Sequence, residues 1–97
     1  MATYVVLASF TDQGIRNIRE SPKRAQAFKD MAKSCGVTIK DIYWTLGHHD
    51  IVTTIEAPDD MTMAALGMSL GALGNVRTQT MRAFSETEIK GILDKMV

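Results

Sequence analysis

Residues 38–58 read TIKDIYWTLGHHDIVTTIEAP, and this segment predicts a pair of strands on which the rest of the fold is built. In its first half, apolar and polar side chains alternate with the period of two that places them on opposite faces of a strand. One face would carry Ile42, Trp44 and Leu46, with Trp44 in the core, and the other would carry Asp41, Tyr43 and Thr45. Residues 51–57 form the next strand, and Pro58 closes it because proline cannot donate to a sheet ladder. The pattern therefore predicts a β-hairpin that turns at GHHD, residues 47–50.

The segment before the hairpin predicts a strand and an interrupted helix. Residues 4–10 are apolar on both faces, as in a central strand that is covered on both sides. Thr11 follows as the N-cap of a helix. Proline lacks the backbone N–H that a helix interior needs, so the helix breaks before Pro22, with Ser21 as the N-cap of a second stretch. That stretch would bury Ala25, Phe28, Met31 and Ala32 and end at Gly36.

The segment after the hairpin predicts a helix, a strand and a last helix. Asp59 or Asp60 caps a helix across residues 61–74, and residues 75–84 form the fourth strand. The sequence SETE, residues 85–88, makes a capping box for a helix that we expect to pack against the core. Its inward side would carry Ile89, Ile92, Leu93 and Met96.

The element order β-α-β-β-α-β, followed by one more helix, predicts an α+β fold of the ferredoxin-like type. The 97 residues are expected to form a single domain, residues 1–97. The charges of eleven basic and eleven acidic residues cancel, so the chain has no net positive field to attract nucleic acid or an anionic membrane. The single cysteine allows no disulfide within the chain, which suits a reducing compartment. The N-terminus has the pattern of a strand rather than a signal peptide, and no apolar run reaches the roughly 20 residues that span a bilayer. We therefore expect a cytoplasmic protein with no membrane partner.

Two features predict association between copies of the chain. Residues 61–74 contain no charged side chain, and a helix that is apolar all round needs cover beyond one sheet. Gly67, Gly71 and Gly74 would let another backbone approach that helix closely. The strands are also apolar on both faces, although helices on one side of an open sheet leave its other face bare. The same face of a second copy, related by a two-fold axis, is the simplest cover, so we expect a homodimer or a higher homo-oligomer.

Four segments resemble the GYD-domain family of small bacterial and archaeal proteins: SFTDQGIRNIRESPKRAQAF, YWTLGHHDIV, EAPDD and LGALGNVRTQTMRAFS. The resemblance runs from about Tyr4 to Leu93. It implies a ferredoxin-like chain of the dimeric α/β-barrel type, in a family whose biochemical function is largely uncharacterised. Gly47 and Asp50 match the Gly-x-Tyr-Asp signature of the family, and His49 stands where that signature has tyrosine.

The GHHD turn is the candidate site of the sequence. Adjacent residues of an extended strand point to opposite faces, so His48 and His49 are not expected to share one metal ion. His48 and Asp50 alone are too few ligands for zinc, and we predict no metal site. Gly47 and Asp50 are expected to shape the turn, since glycine takes positive φ and aspartate bonds nearby backbone N–H groups. The alternative is a ligand pocket at this strand end, with Tyr43, His48, His49 and Asp50 as candidate binding residues.

The sequence leaves the chemistry open between two functions. The first is a homo-oligomeric ferredoxin-like domain of unknown biochemical role, with no cofactor and with a small-molecule site between sheet and helices. The alternative is a small cofactor-free oxygenase or isomerase of the dimeric α/β-barrel type. In that enzyme His48 or His49 would be the acid/base and Tyr43 the donor. A pocket that converges on a histidine would favour the enzyme.

Overall fold

A computed structural model describes residues 1–97 and shows one antiparallel four-stranded sheet with helices. The elements are β1 (Ala2–Phe10), α1 (Asp12–Arg16), a 3₁₀ turn (Ile18–Glu20), α2 (Ser21–Ser34), β2 (Thr38–Trp44), β3 (Ile51–Ala57), α3 (Asp60–Ala72), β4 (Val76–Ala83) and α4 (Glu86–Asp94). The strand order is β2-β3-β1-β4, so β1 is central, as its apolar character predicts. This order confirms the α+β, ferredoxin-like prediction. None of the helices combines the length and the apolar character that a membrane crossing requires.

The hydrophobic core lies between one face of the sheet and helices α2 and α3. Alternate residues of each central strand point into it, because side chains along a strand alternate between faces. The buried core side chains are Tyr4, Val6, Phe28, Ala32, Val37, Ile55, Ala57, Met63 and Leu66. Asp59 caps α3 by accepting a hydrogen bond from the Thr62 backbone N–H, and that bond lowers the pKa of the Asp59 carboxyl. The chain therefore builds a single core on one side of the sheet.

The junction between α1 and α2 differs from the prediction at Ser21. Thr11 caps α1 as predicted, with its hydroxyl accepting from the Gly14 N–H. Glu20, the last residue of the 3₁₀ turn, already has helical backbone geometry where α2 begins. A side-chain N-cap requires an extended residue at this position, so α2 has none. Ser21 is buried inside the helix instead, and its hydroxyl oxygen accepts a hydrogen bond from the Trp44 indole N–H at 2.8 Å. Ser21 thus joins α2 to β2 rather than capping α2.

The end of β2 is more exposed than its alternation predicts. Trp44 was expected in the core, but it is 47% exposed, because β2 is an edge strand that has no neighbour on its outer side. Leu46 lies beyond the last residue of β2 and is fully exposed. The pairing of β2 with β3 also shifts register between Ile39 and Asp41. The expectation of a core Trp44 was therefore wrong, and Leu46 does not belong to the strand that was predicted to carry it.

Helix α4 does not pack inward as predicted. The capping box of Ser85 and Glu88 is present, but α4 makes little contact with the rest of the protomer. Every residue from 84 to 97 is exposed. The expected inward side chains are all at the surface: Ile89, Ile92, Leu93 and Met96. The helix follows the edge strand β4 and reaches no part of the core, so its apolar stripe is left uncovered within the protomer.

Candidate functional site

The GHHD turn is held by backbone and carboxylate contacts. Gly47 has φ +111°, a conformation that favours glycine. The Asp50 backbone N–H donates to the Ala8 carbonyl at 2.8 Å, and the Asp50 carboxylate accepts from the Phe10 N–H, also at 2.8 Å. Asp50 therefore joins the turn to the last residues of the central strand, and its carboxylate is engaged in that contact.

The two histidines of the turn lie closer together than extended geometry predicts. Their ring centroids are 4.9 Å apart in an edge-to-face arrangement, so the expectation that His48 and His49 point apart was wrong. The reason is that residues 45–50 form an irregular turn, in which side chains do not alternate between faces. No group of three or more His, Cys, Asp or Glu side chains is arranged to hold a metal ion.

Tyr43, the fourth candidate residue, lies within β2, before the turn begins. It pairs with Val52, which pairs with Leu7, and these three side chains lie in one row on the face of the sheet opposite to the core. Tyr43 is 59% exposed there. The phenol thus belongs to the open face of the sheet, whereas the Asp50 carboxylate reaches the end of β1.

The open face of the sheet carries an apolar patch. Register places two rows of side chains across it, and the apolar members come from all four strands. Val5, Leu7 and Val52 are half-buried, while Tyr43 and Met81 are exposed. We call Tyr43, Val5, Leu7, Val52 and Met81 the open-face patch. No helix of the protomer covers these side chains, which is the arrangement that the two-sided apolar strands predict.

A second apolar surface lies on the outer side of α3. Residues 61–74 contain no charged side chain, and Met61 and Met68 are 85% and 75% exposed. A side chain added at Gly67 or Gly71 would meet no other atom within 4 Å. We call Met61, Met68, Gly67 and Gly71 the outer α3 surface. It is on the opposite side of the sheet from the open-face patch.

A polar cluster positions the start of α3 and the start of α4. The Tyr4 hydroxyl donates a hydrogen bond to the Asp60 carboxylate, and this bond is the main reason that the pKa of Tyr4 is raised. The Arg82 guanidinium lies 4.5 Å from the centre of the Phe84 ring and 3.4 Å from the Glu88 carboxylate. Because each polar group already has a partner, the cluster is a structural connection between β1, α3, β4 and α4.

A cavity of about 120 Å³ lies between the sheet and helices α2 and α3. It is lined by Phe10, Ser21, Arg24, Ala25, Ala27, Phe28, Met31, Ile42, Ile51, Thr53, Leu70, Leu73, Asn75 and Val76. The four candidate residues of the sequence, Tyr43, His48, His49 and Asp50, are not among them. Six of the lining residues belong to α2, and the others come from all four strands, from α3 and from the loop after it. No local motif could have revealed it.

The structural role of Asp50 can be measured. Replacing Asp50 with alanine removes the acceptor of the Phe10 N–H, and leaving such a group unpaired is expected to lower the free energy of unfolding by about 1–2 kcal/mol. Asp50→Asn is the matched control, because the amide oxygen can still accept, and its loss should be clearly smaller. Urea denaturation of both variants checks this. Equal stability of wild type and Asp50→Ala would contradict the contact.

Comparison with known proteins places the chain among relatives. The family model described as GYD domain matches residues 4–93, which confirms the resemblance seen in the sequence. The chain is 30% identical over 90 residues to a protein of Thermus thermophilus, the glutamine synthetase and cystathionine beta-lyase binding protein. That alignment covers 92% of this chain and 95% of the relative.

Two solved structures share the fold. The crystal structure of MtbAldR aligns with a TM-score of 0.69 at 13% identity over 88% of this chain, which spans only 52% of that protein. The crystal structure of TTHA0845 from Thermus thermophilus aligns with a TM-score of 0.57 at 22% identity, covering 88% of this chain and 95% of the other. These two likenesses support the ferredoxin-like fold of the chain.

Proposed function

The chain belongs to the GYD-domain family, and from this premise we propose that it is a self-associating domain that binds other proteins. The observation that carries the proposal is the open-face patch, an apolar surface from all four strands that no helix of the protomer covers. A second copy is the cover we propose, because a two-fold axis lets one surface bury itself against its equivalent. The single domain of residues 1–97 is then the unit of the homo-oligomer.

Helix α4 supports the same assembly. Its apolar side chains Ile89, Ile92 and Leu93 are at the surface of the protomer, although their spacing is that of a buried stripe. An amphipathic helix of nine residues gains most of its stability from packing rather than from intrinsic propensity. We therefore place α4 against the second copy, as an extension of the interface that the open-face patch begins.

The outer α3 surface is the proposed contact for other proteins. Pairing two copies through their open faces directs both helix layers outward, so the outer α3 surface stays accessible in the assembly. Flexible methionines such as Met61 and Met68 suit an adaptable protein-binding surface. The relative named for binding glutamine synthetase and cystathionine beta-lyase supports protein partners of this kind. We propose that the protein acts in the cytoplasm, together with such enzymes. The reducing conditions there would keep the single Cys35 thiol free.

Small-molecule binding is the second candidate function, and the cavity between sheet and helices favours it. The catalytic alternative has less support, because no histidine is among the residues that line this cavity. The Asp50 carboxylate is already bonded to the Phe10 N–H. We therefore propose binding rather than catalysis at either surface.

The protein-partner proposal predicts the effect of one charge on α3. Met68→Lys should weaken binding to glutamine synthetase or cystathionine beta-lyase from the same organism by at least about tenfold, because a desolvated lysine has no partner in an apolar contact. Biolayer interferometry with the purified enzymes measures it. Gln26→Lys, on the exposed side of α2, is the matched control and should leave binding unchanged.

Two results would count against this proposal. If Met68→Lys binds as tightly as wild type while the mass of the assembly is unchanged, the outer α3 surface is not the contact. If the wild-type chain binds neither enzyme at micromolar concentration, these two enzymes are not its partners.

A further inference from the structure

We propose that the cavity between the sheet and helices α2 and α3 binds one uncharged, apolar molecule of about the size of an aromatic ring. This inference deepens the second candidate function and rests on it. The volume of about 120 Å³ is close to that of an engineered cavity of about 150 Å³ that stays dry and binds benzene. It exceeds the space of a single water molecule severalfold. The size therefore fits a ring with at most one small substituent.

The wall of the cavity is apolar. Ten of the fourteen lining residues are hydrophobic, and they include Phe28, Met31, Ile42, Ile51 and Leu70. A ligand of carbon atoms would gain dispersion energy against this wall, because side chains that face empty space make no such contacts. The wall offers a water molecule few of the roughly two to four polar partners that an ordered water needs. An apolar ligand is thus favoured over water.

The polar side chains of the wall already have partners within the protein. The Thr53 hydroxyl donates to the Asp41 carbonyl at 2.6 Å, and the Arg24 guanidinium donates to the Gly14 carbonyl at 3.2 Å. The Ser21 hydroxyl oxygen accepts from the Trp44 indole at 2.8 Å. Arg24 is the only charged residue of the wall and already donates to a backbone carbonyl, so a charged ligand would lose its hydration without full compensation. Arg24, the one cation of the wall, makes a carboxylate the rival that a test must include.

The cavity can be entered without unfolding. Ala27 and Leu73 both line it and are exposed, so it opens to solvent between α2 and the end of α3. It is on the core side of the sheet, opposite to the open-face patch. A ligand can therefore occupy it whether or not two copies associate, and its binding can be judged separately from the assembly.

The test compares toluene with benzoate, which has the same ring and a carboxylate in place of the methyl group. Methyl NMR spectra of the wild-type protein are recorded during titration with each compound. Toluene should shift the methyl signals of Ile42, Ile51 and Leu70 with a dissociation constant on the order of a millimolar. It should leave Val5 and Leu7, on the opposite face, unchanged. Benzoate should bind at least about tenfold more weakly.

Filling the cavity should abolish binding. Ala25→Leu adds a branched side chain from α2 into the space, and Ala65→Leu makes the same change at an exposed position of α3 that does not line it. Toluene binding should be lost in the first variant and kept in the second. If Ala25→Leu does not fold, Ala25→Val takes its place, and the wild-type methyl shifts still locate the ligand.

Three outcomes would overturn the proposal. Absence of methyl shifts up to saturating toluene would show that the cavity binds no apolar ring. Shifts confined to Val5 and Leu7 would place the ligand on the open face. Benzoate binding as tightly as toluene would assign the site to carboxylates, with Arg24 as their partner. None of these results depends on the mass of the assembly, so the self-association proposal is tested apart from this one.

Discussion

Replacing Val5 with glutamate is expected to convert the protein into a monomer of 10.7 kDa. Val5 lies on the central strand, in the middle of the open-face patch, and its neighbours in register are Thr54 and Met81. In a two-fold interface the change buries two carboxylates without partners, and a buried unpaired charge costs about 3–5 kcal/mol. The dissociation constant of the assembly should rise by roughly a thousandfold or more. Sedimentation equilibrium of the variant measures the loss.

The fold of the Val5→Glu protomer should persist, because this side chain points away from the core that Tyr4 and Val6 help to form. Circular dichroism and a cooperative urea transition check that point. Gln26→Glu, a new carboxylate on the exposed side of α2, is the matched control and should keep the wild-type mass. An unchanged mass for Val5→Glu would show that the open face is not the contact between copies.

The second large effect is expected at Gly14 in α1. A Cβ atom at this position would overlap the carbonyl oxygen of Asn75, which also accepts the Thr11 backbone N–H at 3.1 Å. Backbone atoms cannot move aside as a flexible side chain can, so Gly14→Ala must displace α1 from the start of β4. Overpacking of this kind costs typically about 1–3 kcal/mol and occasionally more, and we expect the upper end of that range.

Gly67→Ala is the control for Gly14→Ala. The added Cβ meets open space on the outer α3 surface, and alanine is the better helix former, so this variant should gain up to about 1 kcal/mol. Urea denaturation of the two variants should therefore move the unfolding midpoint in opposite directions. Equal midpoints would contradict the close approach of α1 to Asn75.

Much of the fold was predictable because its signals are local. The period of two in residues 38–46 and the segment 51–57, closed by Pro58, predicted both strands of the hairpin. Thr11, Asp59 or Asp60, and the Ser85–Glu88 box predicted three helix starts, with Asp59 the observed cap of α3. Each cap depends only on residues within one turn of helix. Caps and strand alternation can therefore be predicted from neighbouring residues alone, without knowledge of the tertiary contacts.

The errors arose where tertiary placement decides burial. Trp44 has the apolar alternation of a core residue, but its place on an edge strand was not readable from its neighbours in sequence. Ile89 and Ile92 have the spacing of a buried stripe, but spacing predicts burial without showing that the rest of the chain reaches the stripe, and both residues are exposed. The same reasoning holds for the histidine rings, whose contact depends on the path of the turn.

The candidate site was predictable only in part. The sequence identified GHHD as a turn with a special role for Gly47 and Asp50, and the geometry of both residues is consistent with that role. It could not identify the cavity, because lining residues such as Phe10, Ser21 and Leu70 come together only when the sheet and both helices are assembled.

The most direct test of the account is the mass of the wild-type chain in solution. Sedimentation equilibrium at micromolar concentration should give at least twice the chain mass of 10.7 kDa, because a second copy is the proposed cover of the open-face patch and of the stripe of α4. A single species at 10.7 kDa across that concentration range would contradict self-association, and with it the central claim.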